Sequence, residues 1–132
     1  MRPALAIVAF STALAGSTWG QDTRGPTGMY NGGNERVQYA RPIRAASLSG
    51  TVADITGVPV PGARVQVQAQ GQKVLIVDIK AGERGGFRLP QLRRGNYWIG
   101  ISAYGFDLHV WELHIVRFGG SKKLNARLHV GT

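Results

Sequence analysis

The sequence predicts an all-β protein, a seven-stranded antiparallel β-sandwich, preceded by a leader and an irregular arm. Three observations carry this. Side chains from residue 45 onward alternate apolar and polar with period 2. The chain holds 19 glycines in 132 residues, too many for long helices. No segment beyond the leader shows a helical period, and 43% hydrophobic against 17% charged residues excludes a disordered polyelectrolyte. The length allows one domain and little more. With no cysteine, disulfides, thiolate metal sites, cysteine nucleophiles and a thioether lipid anchor are all excluded.

Residues 1–20 read as a secretory signal peptide. Met1 and Arg2 form a short positive start, the run from Ala4 to Ala15 is uncharged and apolar, and Thr18 and Gly20 are small residues suited to cleavage after Gly20. Cleavage after Ala15 is the second choice. The apolar run is well short of the roughly 20 residues a membrane-spanning helix needs. The protein is therefore expected to be secreted or periplasmic and not membrane-spanning. Losing Arg2 with the leader takes the formal charge from +9 to +8.

Residues 21–44 show neither period. Gly25, Gly28, Gly32, Gly33, Pro26 and Pro42 punctuate them, so little apolar surface is available to offset ordering entropy. A flexible Gly/Pro-rich arm is expected. Tyr30 and Tyr39 are its candidates for docking, with a plain spacer the first reading.

The domain occupies 45–132. Its first strand alternates Leu48, Gly50 and Val52 with Ser47, Ser49, Thr51 and Ala53. Residues 54–62 make a turn whose two prolines cannot donate to a central ladder. In the second strand Ala63, Val65, Val67 and Ala69 alternate with Arg64, Gln66, Gln68 and Gln70, giving one buried and one wet face. Gly71 and Gln72 turn the chain into Lys73 to Ile79, apolar on both sides and so expected at the sheet centre. Phe87 and Leu89 mark a short fourth strand stopped by Pro90. Residues 96–103 and 108–116 supply the fifth and sixth, and 123–130 the last.

The block Gly50-Thr-Val52-Ala-Asp54-Ile-Thr-Gly57-Val-Pro59-Val-Pro-Gly62-Ala63-Arg-Val65 resembles the carboxypeptidase regulatory-like domain. The resemblance continues through Gly86-Phe87-Arg-Leu89, Gly95-Asn-Tyr97-Trp-Ile99-Gly-Ile101 and Gly105-Phe106 to Leu124, Leu128 and Val130. It implies a prealbumin-like sandwich. It also implies a module without catalysis of its own, since in the metallocarboxypeptidases the zinc chemistry belongs to another domain. The family's Thr-Asp type step before Gly-x-Phe is replaced here by Ala81-Gly-Glu83-Arg84-Gly85-Gly86. Asp54, Gly57 and Gly62 read as structural punctuation: a carboxylate accepting turn amides, and two glycines supplying positive φ.

Chemistry is sparse. His109-Val-Trp-Glu112 has the spacing of a zinc pair, but residues three apart on a strand point to opposite faces. Ser102, Asp107 and His109 lie close in sequence without a nucleophile elbow. No phosphate-binding loop occurs: Gly119-Gly-Ser-Lys122-Lys123 lacks the spacing. No catalytic residue, metal or cofactor is expected.

Binding is better supported. Pairing the fifth and sixth strands symmetrically about Tyr104-Gly105 aligns Ile99 with Val110 and Ile101 with Leu108, facing inward. The same register sets Trp98 opposite Trp111 and His109 opposite Gly100 on the outer face. Two neighbouring exposed indoles admit three readings. They stack on a glycan, with His109 and Tyr104 beside them; they pack against the arm or another subunit; or the register differs and one is buried. Arg93, Arg94, Arg117, Lys122 and Lys123, joined by Arg84 and Arg88, suggest a basic end that contacts an anionic surface or envelope polymer. Simple solvation of these charges is the plainer alternative. Nucleic acid is disfavoured, because no aromatic-interleaved basic motif appears. The sequence therefore points to an exported recognition module, with carbohydrate binding as the first function. The alternative is a structural or assembly module contacting a larger cell-envelope protein.

Overall fold

The computed structural model describes residue 26, residues 28–33 and residues 36–131. The expected leader lies outside them. Nine strands occur among the described residues, and no helix: β1 (Val37–Tyr39), β2 (Ile43–Ala45), β3 (Ser47–Asp54), β4 (Arg64–Ala69), β5 (Leu75–Lys80), β6 (Gly86–Arg88), β7 (Gly95–Ser102), β8 (Leu108–Ile115) and β9 (Ser121–Leu128). They form two sheets. The smaller has the order β9-β3-β6; the larger runs β1-β8-β7-β4-β5, with β2 also on the β8 edge.

Every strand expected from period 2 is present, and two short ones are added. β1 and β2 fall within the stretch expected to be an irregular arm. They pair with β8 in parallel, Val37 with Leu108 and Ile43 with Leu113. Three-residue strands carry too little alternation to register as periodicity, and a neighbour seventy residues away stabilises them. The all-antiparallel expectation is likewise corrected. β9 runs parallel to β3 over eight residues, Ser121 opposite Ser47 through Leu128 opposite Asp54. β5 is not central but the edge of the larger sheet, because its tight turn fixes it beside β4 and β7 takes the other side of β4.

The core fills the space between the sheets. Val65, Val67, Ile99, Ile101 and Leu113 from the larger sheet meet Leu48, Val52, Ala126 and Leu128 from the smaller. Each large aliphatic side chain buried there contributes about 1.5–3 kcal/mol. The turn after β3 is organised by Asp54. Its Oδ1 accepts from Thr56 N at 2.8 Å, Thr56 Oγ1 at 2.6 Å and Val58 N at 3.0 Å. These bonds, the Thr56 hydroxyl first, hold its carboxyl below the usual aspartate range. Gly57 and Gly62 have φ of 93° and 74°, as their place in the turn demands.

The β7–β8 hairpin corrects the expected register by one residue. Ile99 lies opposite Trp111, Trp98 opposite Glu112 and Gly100 opposite Val110. The connection is longer than a two-residue turn: Phe106 bridges to Val130, and Asp107 N donates to His129 O at 2.9 Å. This diversion to the C-terminal strand makes the loop odd. A one-residue slip sends every β8 side chain to the other face. Trp111, Leu113 and Ile115 then face the core, a larger apolar set than Leu108 and Val110 with Glu112.

Candidate functional site

The outer face of the larger sheet collects Arg64, Gln66 and Gln68 from β4, Trp98, Gly100 and Ser102 from β7, and Leu108, Val110, Glu112 and His114 from β8. The β4 part was expected to be wet. Instead Gln66 and Gln68 are buried, and the arm crosses Gln66. Tyr30 N donates to Gln66 Oε1 at 2.7 Å, and Ser102 Oγ donates to Tyr30 O at 2.6 Å. The Arg64 guanidinium lies over the Tyr30 ring, 5.2 Å from its centroid, and pairs with Asp78 at 2.9 Å. That pairing holds the Asp78 carboxyl below its ordinary value.

Gly100 makes room for the arm. A Cβ there would sit 2.3 Å from Met29 Sδ and 3.1 Å from Leu108 Cδ1. Because Met29 is flexible, Gly100→Ala should lift the arm rather than unfold the sheet. Hydrogen exchange should show faster amides over residues 29–33, with a loss of global stability below about 1 kcal/mol.

Where the arm turns to run along β8, it leaves a groove of about 320 Å³ lined by Tyr39, Ala40, Pro42, Gln70, Trp98, Val110 and Glu112. Tyr39 and Trp98 meet edge to face, with centroids 6.5 Å apart at 72°. Tyr39 is 57% exposed and Trp98 half-buried. The Glu112 carboxylate lies 3.3 Å from His114 Nε2, and His114 Nδ1 meets Asn96 Oδ1 at 2.7 Å. Gln70 Nε2 donates to Tyr97 O at 3.3 Å. Two aromatic surfaces thus share a groove with a carboxylate and an amide.

The expected site residues separate. Trp98 lines the groove. Trp111 does not: it is buried in the core, so the outer-face indole pair is replaced by Trp98 with Tyr39. His109 also turns inward, with Trp111 and His129 beside it; its Nε2 lies 3.1 Å from His129 Nδ1. Burial first, then the charge of His129, pushes its pKa down from 6.5 to about 4, against the opposing pull of Asp107. Tyr104, 83% exposed in the β7–β8 loop, is not among the groove residues. The sequence reads Tyr39 first as part of a spacer and only second as a docking residue, because nothing local marks its pairing with Val110 across the sheet edge.

The basic residues separate as well. Arg94 and Arg117 come together with Arg44, Val116, Phe118 and Gly119 around a second hollow of about 360 Å³. Lys122 Nζ donates to Arg44 O at 2.7 Å. Arg93 and Lys123 are exposed and do not line it, while Arg84 and Arg127 flank a separate hollow on the smaller sheet.

The residues weighed for catalysis do not converge. Ser102 faces outward to the arm and His109 inward, and His109 and Glu112 lie on opposite faces. Among the described residues no group of three or more His, Cys, Asp or Glu is placed to hold a metal ion, and no helix is long and apolar enough to cross a membrane.

Two face-packed sheets with this strand order define a prealbumin-type sandwich carrying a groove on one outer face. The chain belongs to the carboxypeptidase regulatory-like domain family, whose pattern it matches over residues 47–129. No curated protein matches it as a sequence relative. Among solved structures it is similar to Klebsiella pneumoniae 5-hydroxyisourate hydrolase, at 19% identity and a TM-score of 0.51, covering 66% of this chain and 92% of that one. It is also similar to the Bacillus anthracis TIE protein, at 15% identity and a TM-score of 0.54, covering 94% of this chain but only 19% of that one. At such identities the likeness is one of fold.

Proposed function

We propose that the protein is an exported, non-catalytic recognition module that binds carbohydrate in the Tyr39–Trp98 groove. The carrying observation is the pairing of two accessible aromatic surfaces with Glu112 and Gln70 in one groove. Sugar rings present apolar C–H faces that stack on indole and phenol. Their hydroxyls donate to carboxylates and exchange hydrogen bonds with amides, which fix orientation. Trp98→Ala should weaken binding of a recognised oligosaccharide by at least about tenfold, and Tyr39→Ala by several-fold. Isothermal titration against a panel of neutral and acidic oligosaccharides checks this. Equal affinities in wild type and Trp98→Ala, or no binding to any member of the panel, would remove the proposal.

A second reading, assembly with a larger envelope protein, is favoured by β5. This edge strand leaves Ile76 50% exposed, with Val74 70% exposed in the bend just before it, at the free edge of the sheet, a surface that accepts an added strand. Under that reading, Ile76→Asp abolishes partner capture and leaves the groove unaffected.

A further inference from the structure

We infer that the Arg44–Arg94–Arg117 hollow is an anion subsite continuous with the aromatic groove, so that the ligand is an acidic saccharide chain. This rests on the carbohydrate reading and goes beyond it by naming the charge and direction of the ligand.

The two hollows share one face of the same strands. Trp98 and Asn96 alternate along β7, and Arg94 sits in the bend just before that strand, where it lines the second hollow. Glu112 and His114 alternate along β8, and Val116 follows just past its end, its N–H donating to Ala45 O at 2.9 Å. Arg44 of β2 lies opposite His114. The path from Glu112 to Val116 spans four residues, roughly 13 Å at strand rise. An extended saccharide laid on this path has one ring on Trp98 and its acidic group at the arginines.

The charges run in the matching direction. Glu112 sits in the aromatic groove, where it accepts hydroxyls and repels an acidic group. At the other end three guanidiniums surround one hollow, and among the described residues none of the three has a carboxylate within ion-pair distance, the ion pairs being Arg64–Asp78 and His114–Glu112. Like charges gathered this way repel, and a bound anion relieves that repulsion while gaining bidentate hydrogen bonds. Phe118, 91% exposed with the Arg117 guanidinium 5.9 Å from its ring centroid, adds an apolar surface beside the hollow for the sugar ring that bears the acid.

The test titrates the full chain with uronic-acid oligosaccharides, their methyl esters and inorganic polyphosphate. The variants are Arg94→Gln/Arg117→Gln and Trp98→Ala. The acid form should bind about tenfold more tightly than its ester. That advantage should shrink with added salt and vanish in the double arginine variant, whose affinity for the ester stays unchanged. Trp98→Ala should weaken both forms. Acid and ester binding alike would overturn the anion subsite while leaving the carbohydrate reading standing, whereas failure of both to bind overturns the two together. Polyphosphate binding as tightly as the uronic acids, with acid binding untouched by Trp98→Ala, would make the hollow a general anion site and overturn the saccharide assignment.

Discussion

Gly50→Ala should destabilise the fold by about 3 kcal/mol or more, lowering the melting temperature on the order of 15 °C. Gly50 is in the middle of β3, the central strand of the smaller sheet, with Leu124 of β9 on one side and Phe87 of β6 on the other. A Cβ there would lie 2.1 Å from the Leu124 carbonyl oxygen and 2.9 Å from Phe87 Cζ. The carbonyl belongs to the parallel ladder and cannot retreat without breaking it, and the ring packs in the core. Gly57→Ala is the control. Its new Cβ meets nothing within 4 Å, so only the strain of φ 93° remains, about 1 kcal/mol. Thermal denaturation followed by circular dichroism compares the two. A loss at Gly50 no greater than at Gly57 would contradict the packing of β9 against β3.

The second large effect is acid destabilisation through His109. Its pKa is about 4 in the folded protein against an ordinary 6.5, so the unfolded chain binds the extra proton between those values. Stability is therefore full above about pH 6.5, falls as pH drops, and levels off below about pH 4. The full shift corresponds to about 3 kcal/mol, and partial hydration of the ring reduces it to on the order of 2 kcal/mol. Protonation would place a charge against His129 in a site where His109 Nδ1 already has no partner. Asp107 on the same side favours the charged form, though its Oδ2 is taken by Gln38 Nε2 at 3.0 Å. Chemical denaturation from pH 8 to pH 4 should show this slope, and His109→Gln should flatten it. A slope unchanged in the variant would move the effect elsewhere. Below the usual carboxylate range a separate loss follows, as Asp54 and Asp78 give up the hydrogen bonds that hold their carboxyls ionised.

The strands were legible where one face is buried and the other is not. Leu48, Gly50 and Val52 turn inward against half-exposed neighbours, so period 2 marked β3 directly; the same apolar–polar alternation marked β4 by residue type, although Gln66 and Gln68 between Val65 and Val67 are buried as well. What the sequence hides is non-local. Tyr39 finds Trp98, and Arg44 finds Arg94 and Arg117, only because β1 and β2 attach to β8 far along the chain. Three-residue strands leave no periodic trace of such an attachment. The hairpin register depended on how many residues the 103–107 loop consumes, and pairing of Phe106 with Val130 decided that. This is why Trp98 was legible as an outer-face aromatic and Trp111 was misplaced. The wet face of β4 misled for a related reason: Gln66 is polar because it receives the arm's backbone, not because water covers it, and Gln68 beside it is buried too.

The most direct measurement is the fluorescence of Trp98 as the single indole, in a Trp19→Phe/Trp111→Phe background. It is followed first with iodide and then with the oligosaccharide panel. A groove open to solvent predicts quenching of Trp98 by iodide, protection from it on saturable addition of a recognised saccharide, and loss of that protection in Tyr39→Ala. An indole that quenches freely and ignores every saccharide would contradict carbohydrate binding at this groove.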